Sequence, residues 1–264
     1  MMINNLNNFT SRITLIVLLL TGCGNASNQE KFATYTFEFG VSNNDSSKFG
    51  RKVYDETGEI FSIKSLCRKD NIVYLVDPVH NNIKAVDLKT GKVRVSENLV
   101  SEKAIINDIA IYGKRILVST DEAVIYVLNF ELSVVDTKRI NRDLGSKMFL
   151  RNGDNLYIFS DPTDVDQNSS FDVSVNALRV ESNLNLVADT LHLGRGYKSF
   201  ENAKNAYELT SNDKCLHTTN FRLCIDEYFP ATEYLCRNIF VNENSVSFFE
   251  FRNNKFRVVS IEVL

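Results

Sequence analysis

The stretch Asn71–Val93, NIVYLVDPVHNNIKAVDLKTGKV, carries the strongest signal for the fold. Two short runs rich in Val, Ile and Tyr, Ile72–Val76 and Ile83–Asp87, are separated by polar residues and followed by a Lys-Thr-Gly-Lys turn. Short β-branched and aromatic runs bounded by Asn, Asp, Gly or Lys are typical of strands joined by tight turns. The stretch therefore predicts a hairpin that leads into a third strand.

The same order of elements recurs along the chain. Lys114–Val135, KRILVSTDEAVIYVLNFELSVV, is a second copy, a third begins at Asn155, a degenerate fourth at Lys214 and a fifth at Ser245. The starts are about 40 residues apart, which is the period of four-stranded propeller blades. A single blade cannot bury both of its faces, so blades must stack around an axis. We predict an all-β chain that forms a β-propeller of five to six blades, with an irregular β-sandwich as the alternative.

Other segments have the same strand character. The further predicted strands are Phe32–Phe39, Ile116–Ser119, Val124–Leu128, Leu156–Phe159, Ser245–Phe251 and Phe256–Glu262. The segment 51–63 resembles the outer strand pair of a blade, and we expect an N-terminal segment to complete the last blade. Helical periodicity is scarce, and Ser199–Leu209 is the best candidate for one or two helical turns.

The first residues look like an export signal. A polar segment that ends at Arg12 precedes the apolar run Ile13–Leu20, which is shorter than the roughly 20 residues needed to span a bilayer. Leu-Thr-Gly-Cys, ending at Cys23, resembles a lipobox, the motif in which the cysteine is acylated and becomes the new N-terminus. We expect residues 1–22 to be the signal peptide, 23–31 a lipidated Cys23 with a polar tether, and 32–264 the propeller domain. An ordinary secretory signal is the alternative.

The lipobox resemblance also implies a location. The residues after Cys23 are Gly24 and Asn25, so there is no Asp at the second position. By the sorting rule of enteric lipoproteins, this implies a palmitate-bearing protein of the cell envelope, held in the outer membrane and facing the periplasm or the cell surface. The expected membrane contact is through the lipid on Cys23.

Composition excludes some partners. The chain has 24% charged and 44% hydrophobic residues and a formal net charge of −3, which becomes −4 when Arg12 is removed with the signal. No cluster of Lys and Arg forms a phosphate-binding footprint, so we predict no nucleic-acid partner. With only 3 Pro and 11 Gly in the chain, no linker is evident after the tether, and one domain is expected.

Four cysteines remain besides Cys23, and an even number in an exported protein suggests disulfides. Cys215 and Cys224 lie at equal distances from Thr219-Asn220, the centre of a predicted hairpin turn, and thus face each other across two strands. We predict a Cys215–Cys224 disulfide, with reduced, packed thiols as the alternative. Pairing of Cys67 with Cys236 stays open.

The usual catalytic motifs are absent from the sequence. His80, His192 and His217 lie in three different repeats. Asp164, Asp166 and Asn168 resemble the start of a calcium loop, but Ser169 replaces the turn glycine and Val175 occupies the position of the bidentate glutamate. We read this segment as a solvated polar loop and predict no catalytic residue, no metal and no cofactor.

Two stretches carry a family resemblance. NDIAIYGKRILVST (Asn107–Thr120) followed by VIYVL, and NIVYLVD followed by NIKAVDLKTGK, resemble blades of the NHL-type and LVIVD-type propellers found in bacterial lipoproteins. The resemblance covers about Glu59–Ile140 and implies a fold without an activity. The absence of Trp separates the chain from quinoprotein-type and WD-type propellers.

Two functions follow from such a fold. The first is a lipoprotein whose propeller binds or scaffolds a protein, peptide or glycan at one face, without catalysis. The second is a propeller enzyme of the lyase or lactonase type that acts at the central channel. The sequence favours binding, because acids and histidines are not clustered. The polar insertion Pro162–Ser170 is the first candidate for a partner-facing loop, because loops carry recognition on a rigid scaffold.

Overall fold

A computed structural model describes residues 30–40, 48–53, 60–100, 104–140, 147–152, 154–160 and 173–193, followed by shorter strand segments between 201 and 263. Between 201 and 239 the description is limited to the backbone. Every regular element among the described residues is a β-strand, so the prediction of an all-β chain is confirmed.

Three strands precede the first blade, and the blades then follow one another in chain order. The N-terminal strands are β1 (Glu30–Gly40), β2 (Phe49–Val53) and β3 (Ile60–Ser62). Blade 1 consists of β4 (Leu66–Lys69), β5 (Ile72–Asp77), β6 (Asn82–Asp87) and β7 (Val93–Val95). Blade 2 consists of β8 (Ile106–Tyr112), β9 (Arg115–Thr120), β10 (Val124–Leu128) and β11 (Val134–Arg139).

The second half of the ring is less regular. Blade 3 consists of β12 (Lys147–Asn152), β13 (Asn155–Ser160), β14 (Val173–Val180) and β15 (Leu186–Leu193). Blade 4 consists of two small sheets, β16 (Glu201–Asn202) with β17 (Asn205–Ala206), and β18 (Glu208–Leu209) with β19 (Cys215–His217) and β20 (Arg222–Cys224). The last sheet contains β21 (Ile239–Asn242), β22 (Ser245–Arg252) and β23 (Lys255–Val263).

The innermost strand of each blade is its first strand, and these five strands form a closed circle. β4 contacts β8, β8 contacts β12, β12 contacts β16, β16 contacts β21, and β21 contacts β4 again. In blades 1, 2 and 3 the sheet continues outward from this circle in chain order. This arrangement defines a five-bladed β-propeller and replaces the β-sandwich alternative.

The ring is closed by the N-terminal strand. β1 pairs antiparallel with β23 from Glu30↔Val263 to Glu38↔Lys255, so it becomes the fourth strand of the last blade. β2 and β3 continue the same sheet outward, β2 joining β1 in parallel at Phe39↔Phe49. The predicted completion of the last blade by an N-terminal segment is thereby confirmed. β1 begins two residues before the expected start of the domain.

Phenylalanines fill the junction between the last blade and blade 1. Phe49 on β2 is fully buried, and its ring stacks on that of Phe256 at 4.4 Å between centroids. Phe249 and Phe37 complete the cluster, which packs against β5 and β6. In a chain without Trp, these rings provide the large apolar area that holds the two blades together.

The two ends of the strands define two faces of the propeller. The Glu30 face carries the start of β1 and the turns β4–β5, β6–β7, β8–β9 and β10–β11. The His80 face carries the turns β5–β6 (residues 78–81) and β9–β10 (121–123), the ends of β7 and β11, and the starts of β8 and β12. Successive turns of an antiparallel sheet alternate between its two ends, so the assignment of one turn fixes the others.

One expectation about secondary structure is wrong. The candidate helix Ser199–Leu209 is replaced by the short strands β16, β17 and β18. The position in the ring overrides the local pattern, since β16 lies between β12 and β21, where it completes the inner circle.

Candidate functional site

The described part of the propeller carries its buried charged groups at the junctions between blades. On the His80 face, Asp77 ends β5 with its side chain fully buried. Its Oδ2 accepts hydrogen bonds from the Gly50 backbone N–H at 2.9 Å and lies 2.9 Å from His80 Nδ1. Because Gly50 belongs to β2, the carboxylate joins blade 1 to the strand pair that closes the ring.

Lys84 supplies the opposite charge. This side chain in the middle of β6 is 1% exposed, and its Nζ lies 3.4 Å from Asp77 Oδ2. It also donates to the Lys48 carbonyl and lies 5.0 Å from the centre of the Phe49 ring. A buried ammonium needs such partners, because its desolvation is costly without an opposite charge and hydrogen bonds.

The surroundings of Asp77 favour its charged form. Burial alone raises the pKa of this carboxyl, but the hydrogen bond from His80, the charge of Lys84 and the Gly50 N–H outweigh it. The pKa is therefore held below its ordinary value. Asp77 and Lys84 form an ion pair at neutral pH.

His80 leaves one hydrogen-bonding position open within this cluster. The residue is 1% exposed, its Nδ1 is directed at Asp77, and its buried Nε2 has no hydrogen-bond partner among the described residues. The buried Oδ1 of Asn82 likewise has no hydrogen-bond partner among the described residues. An Asp–His pair of this kind can orient an imidazole for proton transfer, but the burial of both residues keeps solvent and substrate away. Its effect is to fix the turn 78–81.

Asp108 makes a second junction on the same face. Its Oδ1 accepts from the Ser65 hydroxyl, which precedes β4, and its Oδ2 accepts from the Phe149 N–H on β12 at 2.8 Å. One buried carboxylate on β8 thus links three consecutive blades at their inner strands.

Arg68 makes the corresponding junction at the Glu30 face. Its Nη1 donates to Ser245, Ser247 and Ser260 at 2.9, 3.1 and 2.8 Å, all on the last blade. Its Nη2 donates to Glu262 at 2.8 Å, and its Nε to the Asp70 carbonyl at 2.7 Å. Each of the three guanidinium nitrogens of Arg68 has a partner, so this buried side chain is a clamp between the first and last blades and not an anion site.

The structure places the predicted disulfide cysteines opposite each other. In the hairpin of β19 and β20, Cys215 pairs with Cys224, Leu216 with Leu223 and His217 with Arg222. This is the register that the sequence predicts. The bond between the two sulfur atoms stays a prediction, since the side chains lie outside the described part.

The other predicted positions are spread over the molecule. His80 lies at the β5–β6 turn, His192 on β15 and His217 on β19, so the structure keeps the three histidines in different blades. Cys67 is buried in the core between blades 1 and 2. Outside the described residues are Cys23, Cys236, the insertion Pro162–Ser170, and within it Asp164, Asp166 and Asn168.

Within the described ranges, no three His, Cys, Asp or Glu side chains come close enough to hold a metal ion. The same ranges contain no helix that is long and apolar enough to cross a bilayer.

The buried charges Arg68, Asp77, Lys84 and Asp108 were not singled out from the sequence. A weak signal was available for Lys84, which stands between Ile83 and Ala85 in a strand of blade 1. β6 is one of the two central strands of the blade 1 sheet and is buried on both faces, so a charged residue there has no route to solvent. The sequence alone does not show that the strand is central.

These features define the chain as a five-bladed β-propeller with polar clamps between its blades. No protein-family model matches the sequence, and the curated proteins contain no match. Among solved structures, the nidogen/laminin complex is 12% identical, with 86% of this chain and 88% of that chain covered at a TM-score of 0.41. The Dos1 propeller is 13% identical, with 78% and 57% covered at 0.35.

A designed protein, Ika8, is 12% identical over 64% of this chain at a TM-score of 0.34, and the match spans 45% of that chain. These superpositions are too loose to bear on function. The propeller assignment rests on the strand order and on the closed inner circle.

Proposed function

We propose that this chain is an exported lipoprotein, anchored through an acylated Cys23, whose propeller binds or scaffolds a protein, peptide or glycan partner at the His80 face. We further propose that it is related to the NHL-type and LVIVD-type propellers of bacterial lipoproteins. The observation that carries the proposal is the position of β1. The strand that closes the ring begins at Glu30, only seven positions after Cys23.

The long connections of the propeller support the choice of the His80 face. β7 ends at Val95 and β8 begins at Ile106, and β13 ends at Ser160 before β14 begins at Val173. Both connections leave from the His80 face, whereas the β6–β7 and β8–β9 turns of the Glu30 face are short. Recognition in rigid scaffolds is usually carried by the longer connections.

The rigid polar junctions support binding as the function of that face. Asp77 and Asp108 tie the ends of β5 and β8 to neighbouring blades at this face. Strand ends held in this way present their loops with little loss of conformational entropy on binding, which favours affinity.

Anchoring is tested by metabolic labelling with palmitate. Cys23→Ala should lose the label and leave the precursor uncleaved or release the protein into the soluble exported fraction. Cys236→Ser, a control that alters another cysteine, should keep the label. Equal labelling of the wild type and of Cys23→Ala contradicts the anchor.

Partner binding is tested by photo-cross-linking in intact cells. A cross-linking residue at Glu97 or Glu122, both exposed on the His80 face, should capture the same partner, and one at Val135 on the outer strand β11 should not. Capture only at Val135 contradicts the assignment of the face. Turnover of lactones or polyuronides that is lost on mutation of acids at the channel mouth would instead establish the enzyme alternative.

A further inference from the structure

The contacts of the closing sheet fix which face of the propeller the N-terminal strand starts from. Glu30 pairs with Val263, and Ser245 pairs with Glu262, so these residues share one end of the last blade. Arg68 binds both Ser245 and Glu262, and its Nε binds the Asp70 carbonyl in the β4–β5 turn. The start of β1 and the β4–β5 turn therefore lie on the same face.

The contacts of blade 2 extend this face. Phe130 in the β10–β11 turn lies under Lys69, whose Nζ is 5.6 Å from the ring centre, and its carbonyl accepts from Arg94 on β7. The β8–β9 turn lies at the same end of blade 2 as the β10–β11 turn. The turns of the first two blades and the start of β1 thus form one continuous surface, the Glu30 face.

Exposed charge differs between the two faces of these blades. The turns of the Glu30 face carry Lys89, Lys92, Lys114 and Arg115, all exposed. The acids there have basic or N–H partners: Asp87 accepts from the Lys89 and Thr90 N–H groups, Glu131 pairs with Arg94, and the exposed Asp70 lies 3.9 Å from Lys69 Nζ. On the His80 face the exposed charged residues of the same blades are acidic except for Arg139 at the end of β11.

Those acidic residues are Glu97, Asp121 and Glu122. In blades 1 and 2, a chain of net charge −3 therefore directs most of its exposed positive charge toward the face from which its N-terminal segment leaves.

We infer that the Glu30 face of blades 1 and 2 rests on an anionic phospholipid bilayer, with Lys89, Lys92, Lys114 and Arg115 at the head groups and the His80 face turned away. This inference rests on the proposed acylation of Cys23. Basic side chains near a surface of anionic lipids are attracted to it within about one Debye length, roughly 10 Å at 0.1 M salt.

The length of the tether opposes the reverse orientation. Seven residue steps from Cys23 to Glu30 reach at most roughly 25 Å when fully extended. β1 contains 11 residues, and at about 3.3 Å per residue it spans about 36 Å from one face toward the other. With the His80 face on the bilayer, Glu30 would lie beyond the reach of an acylated Cys23.

The orientation is tested by lysine footprinting of the mature lipidated protein. The protein is reconstituted on vesicles with about one third phosphatidylglycerol in phosphatidylcholine, treated with a membrane-impermeant acetylating reagent and compared with the same protein in non-ionic detergent. We expect acetylation of Lys89, Lys92 and Lys114 to slow several-fold on the vesicles. Lys138, near the His80 face on β11, should react equally in both and serves as the control.

The contribution of charge is tested on purely phosphatidylcholine vesicles and with the variant Lys89→Glu/Lys114→Glu. Protection of Lys92 should weaken in both cases, and thermal unfolding of the variant should match the wild type. Unprotected lysines on anionic vesicles, protection of Lys138 instead, or protection that is independent of lipid charge would each overturn the inference. A missing lipid anchor is distinguished from a wrong orientation by the intact mass of the protein, which shows whether Cys23 carries acyl chains.

Discussion

Arg68 on the first strand of blade 1 and Glu262 on the last strand of the chain form an ion pair of 2.8 Å between Nη2 and Oε1. The guanidinium side chain is 4% exposed and the carboxylate 33%, so the two partners differ in what their removal leaves behind. Loss of Arg68 leaves a carboxylate that water can reach. Loss of Glu262 leaves a buried cation with four other acceptors.

Arg68→Ala should lower the free energy of unfolding by roughly 3 kcal/mol or more, since it creates a cavity and breaks a buried hydrogen-bonded network between the first and last blades. Glu262→Gln, which preserves shape and can still accept a hydrogen bond, should lower it by only about 1 kcal/mol. Urea unfolding followed by circular dichroism measures both. Equal losses of unfolding free energy in the two variants would mean that the hydrogen bonds from Arg68 to the three serines do not contribute to stability.

Asp77→Asn should lower the free energy of unfolding by roughly 3 kcal/mol at pH 7, because Lys84 stays buried without its counter-charge. Glu122→Gln, which removes an exposed carboxylate from the same face, should change it by less than about 0.5 kcal/mol.

The loss in Asp77→Asn should depend on pH. Because the pKa of Asp77 in the folded protein lies below its ordinary value of 3.8, its charge stabilises the fold above that value, and this contribution disappears as the pH falls through the lowered pKa. The difference in unfolding free energy between wild type and Asp77→Asn should therefore be constant between pH 5 and 7, at roughly 3 kcal/mol. It should shrink below about pH 4. A difference that stays constant down to about pH 2 would contradict the ionised state of Asp77.

Gly91→Ala should be more destabilising than Gly113→Ala. Both glycines have positive φ angles, +69° and +57°, where an alanine costs roughly 1–2 kcal/mol. A Cβ on Gly91 would also meet the Tyr35 ring at 2.7 Å, while one on Gly113 meets nothing within 4 Å. We expect an additional loss of about 1 kcal/mol or more for Gly91→Ala, and in a Tyr35→Ala background this excess should vanish.

The Cys215–Cys224 disulfide should be detectable by peptide mapping of the native protein without reduction. It would close a loop of ten residues, for which chain entropy gives a stabilisation of roughly 2–3 kcal/mol. Cys215→Ser should remove that stabilisation, and reduction should then have no further effect on the variant. Alkylation of both thiols in the unreduced native protein would rule the bond out.

The local elements of the fold were predictable because their signals are local. The strand Val124–Leu128 agrees with β10 at both ends, and Ile72–Val76 falls within β5. Both have turn residues on each side and few alternatives for pairing. The cross-strand position of Cys215 and Cys224 followed from counting away from one turn.

The blade junctions were not predictable in the same way. Nothing near Arg68 in the sequence indicates that its partners are Ser245 and Ser260, because their proximity arises only when the ring closes. Lys84 would be placed in solvent by the alternation rule for half-buried strands, and it is buried because neighbours cover both sides of β6. The sequence therefore predicted one candidate recognition loop, Pro162–Ser170, but neither the face of the propeller nor the buried junctions that support it.

The pairing of β1 with β23 sets an order of events during folding. The segment that is synthesised first finds its partner only when the last residues have followed, so the largest loop-closure entropy is met at the final step. Until then β1 has an open edge, and Phe49 lacks the Phe256 ring on which it stacks. A chain that stops before Lys255 stays open in this way, which exposes unfinished copies to proteolysis and spares completed ones.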